Sequence, residues 1–227
     1  MSKHLQRDLD NLQRDLLAMA ANVEQAIHSA IQALQERAVQ AAQQVVQREE
    51  QIDLQETRVE DECLKALALH QPVAVDLRRV AAALKINTDL ERMGDLAEDI
   101  AERAMVLVKP PFLPVPESLQ VMADLTRQMV RQSLEAFIQL DTTLARQVCQ
   151  LDDQIDLYNA EIIEQLVQIM QEAPEMVAPG LSMFSSVRHL ERIADHATNI
   201  AEDVLYLVEG EIVRHQPAAL YREAVGQ

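Results

Sequence analysis

Four pairs of carboxylates, each spaced four residues apart, are the part of this chain whose types and spacing could do chemistry: Glu49/Asp53, Glu91/Asp95, Asp152/Asp156 and Glu191/Asp195. On a helix that spacing places both acids on one face, where like charges destabilise the helix by about 0.2–0.5 kcal/mol per pair. A bound cation would remove the repulsion and turn it into binding. A donor set made only of oxygen suits hard cations, or iron and manganese, rather than a Cys/His zinc site. Taken singly, any one pair reads more readily as a solvated acidic face than as a site. It is the recurrence of the pattern that points to metal.

The recurrence is an internal repeat, which outranks other sequence signals. Glu91-Arg92-Met93-Gly94-Asp95-Leu96-Ala97-Glu98-Asp99-Ile100-Ala101-Glu102 returns one hundred residues later as Glu191-Arg192-Ile193-Ala194-Asp195-His196-Ala197-Thr198-Asn199-Ile200-Ala201-Glu202, identical at seven of twelve positions. Glu49-Glu50-Gln51-Ile52-Asp53-Leu54 is echoed by Asp152-Asp153-Gln154-Ile155-Asp156-Leu157. In the first copy the acidic stripe runs on through Glu56 and Glu60, and through Glu98 and Glu102. In the second it thins to Asn159 and Ile163, and to Thr198 and Glu202.

The elements that must position these acids are helices. Hydrophobic residues make up 48% of the 227, enough for a core, while aromatics are 3% and only four glycines occur. Too few glycines remain for the tight turns of an all-β fold, and the abundant residues are helix formers. Prolines punctuate the chain, and the run Lys109-Pro110-Pro111-Phe112-Leu113-Pro114-Val115-Pro116 divides the repeats as a short, stiff linker. Helices are expected over 3–37, 40–69 and 73–108, then over 117–139, 142–172 and 177–209. Asp141 is placed to cap the fifth and Gly210 to stop the sixth. In the third, Leu90, Met93, Ala97, Ile100, Ala104 and Leu107 form an apolar stripe, with Glu91, Asp95, Glu98 and Glu102 roughly 150° away and so facing outward. The expected architecture is all-α, two tandem antiparallel three-helix bundles. Residues 1–109 form the first, 110–116 the linker, 117–210 the second, and 211–227 a weakly specified tail.

A net charge of −17 excludes the basic footprint that nucleic acid requires. Cys63 and Cys149 do not correspond between the repeats and fit buried, reduced thiols. The opening residues lack the apolar core of a signal peptide, and no stretch approaches a membrane span, so a cytoplasmic protein without membrane insertion is expected. Gly94, between Glu91 and Asp95, would let a helix or an ion approach closely. His196 reads as a surface histidine or as a group behind Asp195. Arg78 and Arg79 read as partners of the acidic surface or as a protein contact. No nucleophile–base pair, phosphate loop or Glu-x-x-His di-iron motif is present, so no catalytic residue is assigned.

With Leu90 to Asp95, Leu190 to Glu202 and Pro72 to Arg78 in view, the sequence resembles the PhoU family of bacterial phosphate-transport regulators, from the first helix to about Gly210. The resemblance implies two similar three-helix bundles and a non-enzymatic negative regulator of the phosphate-starvation response. It implies an adaptor between the ATPase subunit of the phosphate ABC transporter and the phosphate-sensing histidine kinase, and leaves a homodimer open. It also implies iron or zinc clusters on the bundle surface, with manganese or magnesium compatible. Glu49, Asp53, Glu91 and Asp95 would be ligands in one bundle, and Asp152, Asp156, Glu191 and Asp195 in the other. Ala194, Asn159 and Thr198 depart from the family pattern and weaken the second site. Two other classes stay open: a metal-storage or oxidase bundle, and a histidine phosphotransfer module using His189 or His196.

Overall fold

In the first helix, Leu5, Leu9, Leu12, Leu16, Met19, Val23, Ile27, Ala30 and Leu34 recur at alternating spacings of mostly three and four, and every one is buried. That stripe commits one side of a long helix to a core. The computed structural model describes residues 3–210. They form α1 (Lys3–Glu36), α2 (Val39–His70), α3 (Ala74–Leu107), α4 (Ser118–Gln139), α5 (Thr142–Glu172) and α6 (Val177–Glu209), with one 3-10 turn at Pro174–Met176 between the last two. No strand occurs among the described residues. The helices α1, α2 and α3 pack together as one antiparallel bundle, and α4, α5 and α6 as another. The tail expected from residue 211 onward lies outside the described residues.

The helix ends follow local chemistry. Asp141 Oδ1 accepts from the backbone N–H groups of Thr143 at 2.8 Å and Leu144 at 3.0 Å, capping α5. Gly210 closes α6 at φ 80, its N–H donating to the Tyr206 carbonyl at 2.9 Å. Gln71 and Leu140 end α2 and α4 in the same left-handed region without being glycine. Pro72 lies just ahead of α3, with Val73 the extended residue before the helix. Replacing Asp141 by Ala is expected to cost about 1 kcal/mol. For a chain of this size that lowers the melting temperature by about 2–4 °C, read by circular dichroism.

The linker is fastened to the first bundle rather than standing clear of it. Arg37 Nη2 donates to the Leu113 carbonyl at 2.7 Å, its guanidinium lies 4.8 Å from the Phe112 ring centroid, and Leu113 is buried. The expected stripe of α3, Leu90 through Leu107, is buried throughout, and Cys63 and Cys149 are buried free thiols.

The two bundles are joined along α3 and α6, which run antiparallel side by side, with a lesser contact between α1 and α4. Lys85 Nζ meets Asp203 Oδ1 at 2.9 Å, and Asp89 Oδ1 accepts from His196 Nδ1 at 2.8 Å and Asn199 Nδ2 at 3.2 Å. His189 Nε2 lies 3.9 Å from Asp99 Oδ2 further along the same seam. Both central helices are therefore buried over more of their circumference than one apolar stripe, and Leu96 is buried as well as Ala97 and Ala101.

Candidate metal centre

The acids come together where α2 lies against α3. Glu49 and Asp53 sit on adjacent turns of α2, and Asp95 reaches them from α3. One ligand atom from each lies within 4.8 Å of the others, the one such group of potential metal ligands among the described residues. The backbone registers them because Ile52 packs against Gly94: a Cβ on Gly94 would stand 3.2 Å from Ile52 Cδ1 and Cγ2. The missing side chain of Gly94 thus serves helix–helix approach, which in turn brings Asp53 and Asp95 level.

The acids also differ in setting from the outward-facing stripe that the helical angle suggests. Glu91, Asp95 and Glu98 are half-buried at the rim between α2 and α3, and Glu102 alone of that set is exposed. The neighbouring helix shields them, which an angle measured on one helix does not reveal. Burial, followed by repulsion from Asp53, Glu98 and Asp95, pushes the Glu49 carboxyl up to about 7. Burial first and Glu102 second raise Glu98. An anionic cluster that resists its own ionisation is a site whose charge a cation would complete.

Glu91 is not part of the converging group. Arg92 pairs with it and with Asp95 alike, its Nε 3.3 Å from Glu91 Oε2 and its Nη1 3.1 Å from Asp95 Oδ2. Burial and then Asp95 still raise the Glu91 carboxyl, with Arg92 opposing.

In the second bundle Asp152 and Asp156 lie on α5, and Glu191 and Asp195 on α6, as the repeat requires. They do not converge as tightly. Thr198 Oγ1 donates to Asp152 Oδ1 at 3.3 Å, and Arg188 Nη1 holds Glu191 Oε1 at 2.9 Å. Burial, then Glu191, Asp152 and Asp156, pushes Asp195 up to about 6, with His196 opposing. The residues thus fit a cation in the first bundle, and fit one less well in the second. His196 is neither a free surface group nor aimed at the acids; its Nδ1 is held by Asp89.

A duplicated three-helix bundle with acid pairs on corresponding helices defines a tandem-repeat helical protein. The PhoU domain model matches the chain twice, at residues 16–104 and 119–204. The chain belongs to the PhoU family. It is 40% identical over 210 residues to a phosphate-specific transport system accessory protein PhoU homolog of Aquifex aeolicus, covering 92% of this chain and 95% of that one. A Pseudomonas putida homolog of the same description is 40% identical, with 95% and 84% covered. Among solved structures, PhoU from Pseudomonas aeruginosa superimposes with a TM-score of 0.88 at 36% identity, covering 91% of this chain and 99% of that one. The phosphate transport system regulatory protein PhoU from Streptococcus pneumoniae gives 0.85 at 30% identity, with 92% and 99% covered.

Proposed function

We propose that this chain is a non-enzymatic accessory regulator of phosphate transport that restrains uptake and the phosphate-starvation response when phosphate is plentiful. The observation that carries the reading is similarity along both repeats to proteins named as phosphate-transport accessory proteins. It would act as an adaptor, touching the transporter's ATPase subunit with one surface and the sensor histidine kinase with another. No helix among the described residues is long and apolar enough to cross a membrane, which agrees with a partner that docks on membrane proteins without inserting.

The metal belongs to the same proposal. Glu49, Asp53 and Asp95 would hold an iron or zinc ion, with manganese or magnesium as compatible substitutes, while Asp152, Asp156, Glu191 and Asp195 would bind more weakly. Bound there, the ion supplies positive charge to a rim shared by two helices. This chain's own residues fix the rim: Ile52 and Gly94 set the helix spacing, and Arg92 spans Glu91 and Asp95 beside it.

The geometry supports the other classes less. The carboxylates line a rim rather than a bundle interior, unlike a di-iron oxidase. His196 is held by Asp89 within the seam between the bundles, and His189 Nε2 lies 3.0 Å from Ser185 Oγ, so both histidines already serve packing contacts in the fold. Deleting the gene is expected to raise a phosphate-starvation promoter reporter many-fold in phosphate-rich medium, and the intact gene to restore repression. A reporter still fully repressed after deletion would overturn the regulatory reading.

A further inference from the structure

Where the two bundles meet beside α1, a cavity of about 150 Å³ is walled by Leu12 and Leu16 of α1, Ala83 of α3, Phe137 of α4 and Leu207 of α6. All five are buried. The end of α4 does not close the space: Ile138 and Leu140 border it, yet both remain exposed. Chain interiors pack as densely as organic crystals, and an apolar void forfeits stability that a fitting guest restores. A cavity of roughly 150 Å³ lined by Leu, Ile and Phe is large enough to admit benzene.

One charged group on the wall has no partner. Arg79, half-buried in the second turn of α3, borders the cavity, and among the described residues no hydrogen bond or ion pair reaches its guanidinium. Asp10 stands at the same rim, but it is exposed and already accepts from Gln6 Nε2 at 2.6 Å. The guanidinium is therefore the group left to bind, and its planar fork of donors matches a carboxylate. We propose that this cavity binds a small apolar carboxylic acid, its ring-sized body among Leu12, Leu16 and Phe137 and its carboxylate on Arg79. The assignment uses neither the metal centre nor the phosphate-regulator reading. Arg79 and Ala83 align with Pro179 and Met183 in the second copy, so the repeat does not duplicate the site. Its walls come from both bundles, so an acid bound here ties α1 and α3 to α4 and α6 and stabilises the assembled chain by mass action.

The test titrates phenylacetate and isovalerate into the full chain and follows the methyl NMR signals of Leu12, Leu16 and Leu207. At least one acid is expected to shift them saturably, and phenylacetamide, the uncharged counterpart of phenylacetate, to bind at least tenfold more weakly. Arg79→Gln should weaken the acid at least tenfold and leave phenylacetamide unchanged. Ala83→Leu, which fills the cavity, should abolish binding of both. Arg79 gives up no ion pair among the described residues, so Arg79→Gln keeps the fold, which an unchanged melting curve without ligand verifies. Should Ala83→Leu unfold the chain, Arg79→Gln alone decides. Leucine signals that neither acid moves would overturn the site. Equal affinity for phenylacetate and phenylacetamide, or an Arg79→Gln variant that binds the acid as the parent does, would overturn the role given to Arg79 and with it the proposal.

Discussion

Purified without chelator, an Asp53→Asn/Asp95→Asn variant is expected to lose the metal of the first bundle while the parent retains it, as measured by plasma mass spectrometry. Both residues belong to the converging group and Glu91 does not, so Glu91→Ala should remove less metal than either. The same variant carries an opposite effect on stability. In the metal-free parent the Glu49 carboxyl is pushed from 4.5 up to about 7 by burial and then by its acidic neighbours. A carboxyl raised on folding is protonated more readily in the folded chain than in the unfolded one. Its stabilising contribution is complete below about 4.5 and is lost as pH rises through about 7. Metal-free parent should therefore melt lower at pH 8 than at pH 5. Solvent screening at this rim holds the effect to about 1 kcal/mol, or a shift of about 2–4 °C. Asp195, raised from 3.8 to about 6, acts in the same direction over a lower pH window in the second bundle. Asp53→Asn/Asp95→Asn removes two of the charges that oppose Glu49, so the metal-free variant should melt above the parent at pH 8 and show a shallower pH dependence. Unchanged metal content would sink the site. A metal-free variant less stable than the parent at pH 8 would sink the electrostatic account.

The sequence makes the acids legible and leaves their company hidden. Every helix begins and ends within a residue or two of its expected place, because periodic leucines, the Asp141 cap and the Gly210 stop are local signals. All eight candidate ligands fall on the expected helices for the same reason. What failed is anything that depends on a second neighbour. Asp89 and Asp203 are charged and so count as outward in a single-helix pattern, yet both are buried where α3 meets α6. Leu96 and His196, aligned by the repeat, do different work: one is packed as an apolar group, the other bonded to Asp89. Gly94 allowed two readings from sequence, an ion or a helix close by, and Ile52 at 3.2 Å selects the helix. Spacing alone does not show that Asp95 meets Glu49 and Asp53 while Glu91 does not, since that depends on how far each side chain reaches from α3 toward α2.

Replacing Asp89 by Ala is expected to cost about 2–3 kcal/mol, because the carboxylate is nearly buried and its loss strands two donors, His196 Nδ1 and Asn199 Nδ2. The melting temperature should fall by about 5–10 °C. Asp89→Asn keeps one acceptor oxygen and should lose roughly half as much, close to the net value of a charge-assisted bond. A double-mutant cycle with His196→Ala separates the pair from its surroundings: contacting residues couple by about 0.5–3 kcal/mol, and independent ones add. Additivity, or a loss within about 0.5 kcal/mol for Asp89→Ala, would show that the seam is held by its apolar residues alone. The wider consequence concerns cooperativity. The polar contacts along α3 and α6, Lys85 to Asp203, Asp89 to His196 and Asn199, and His189 near Asp99, all cross from one bundle to the other. One apolar core runs through both bundles, so the two should unfold together, and weakening that seam should broaden the transition as their unfolding uncouples. The adaptor role proposed above would depend on the angle between the two bundles, and these side chains lie along the seam where that angle is fixed.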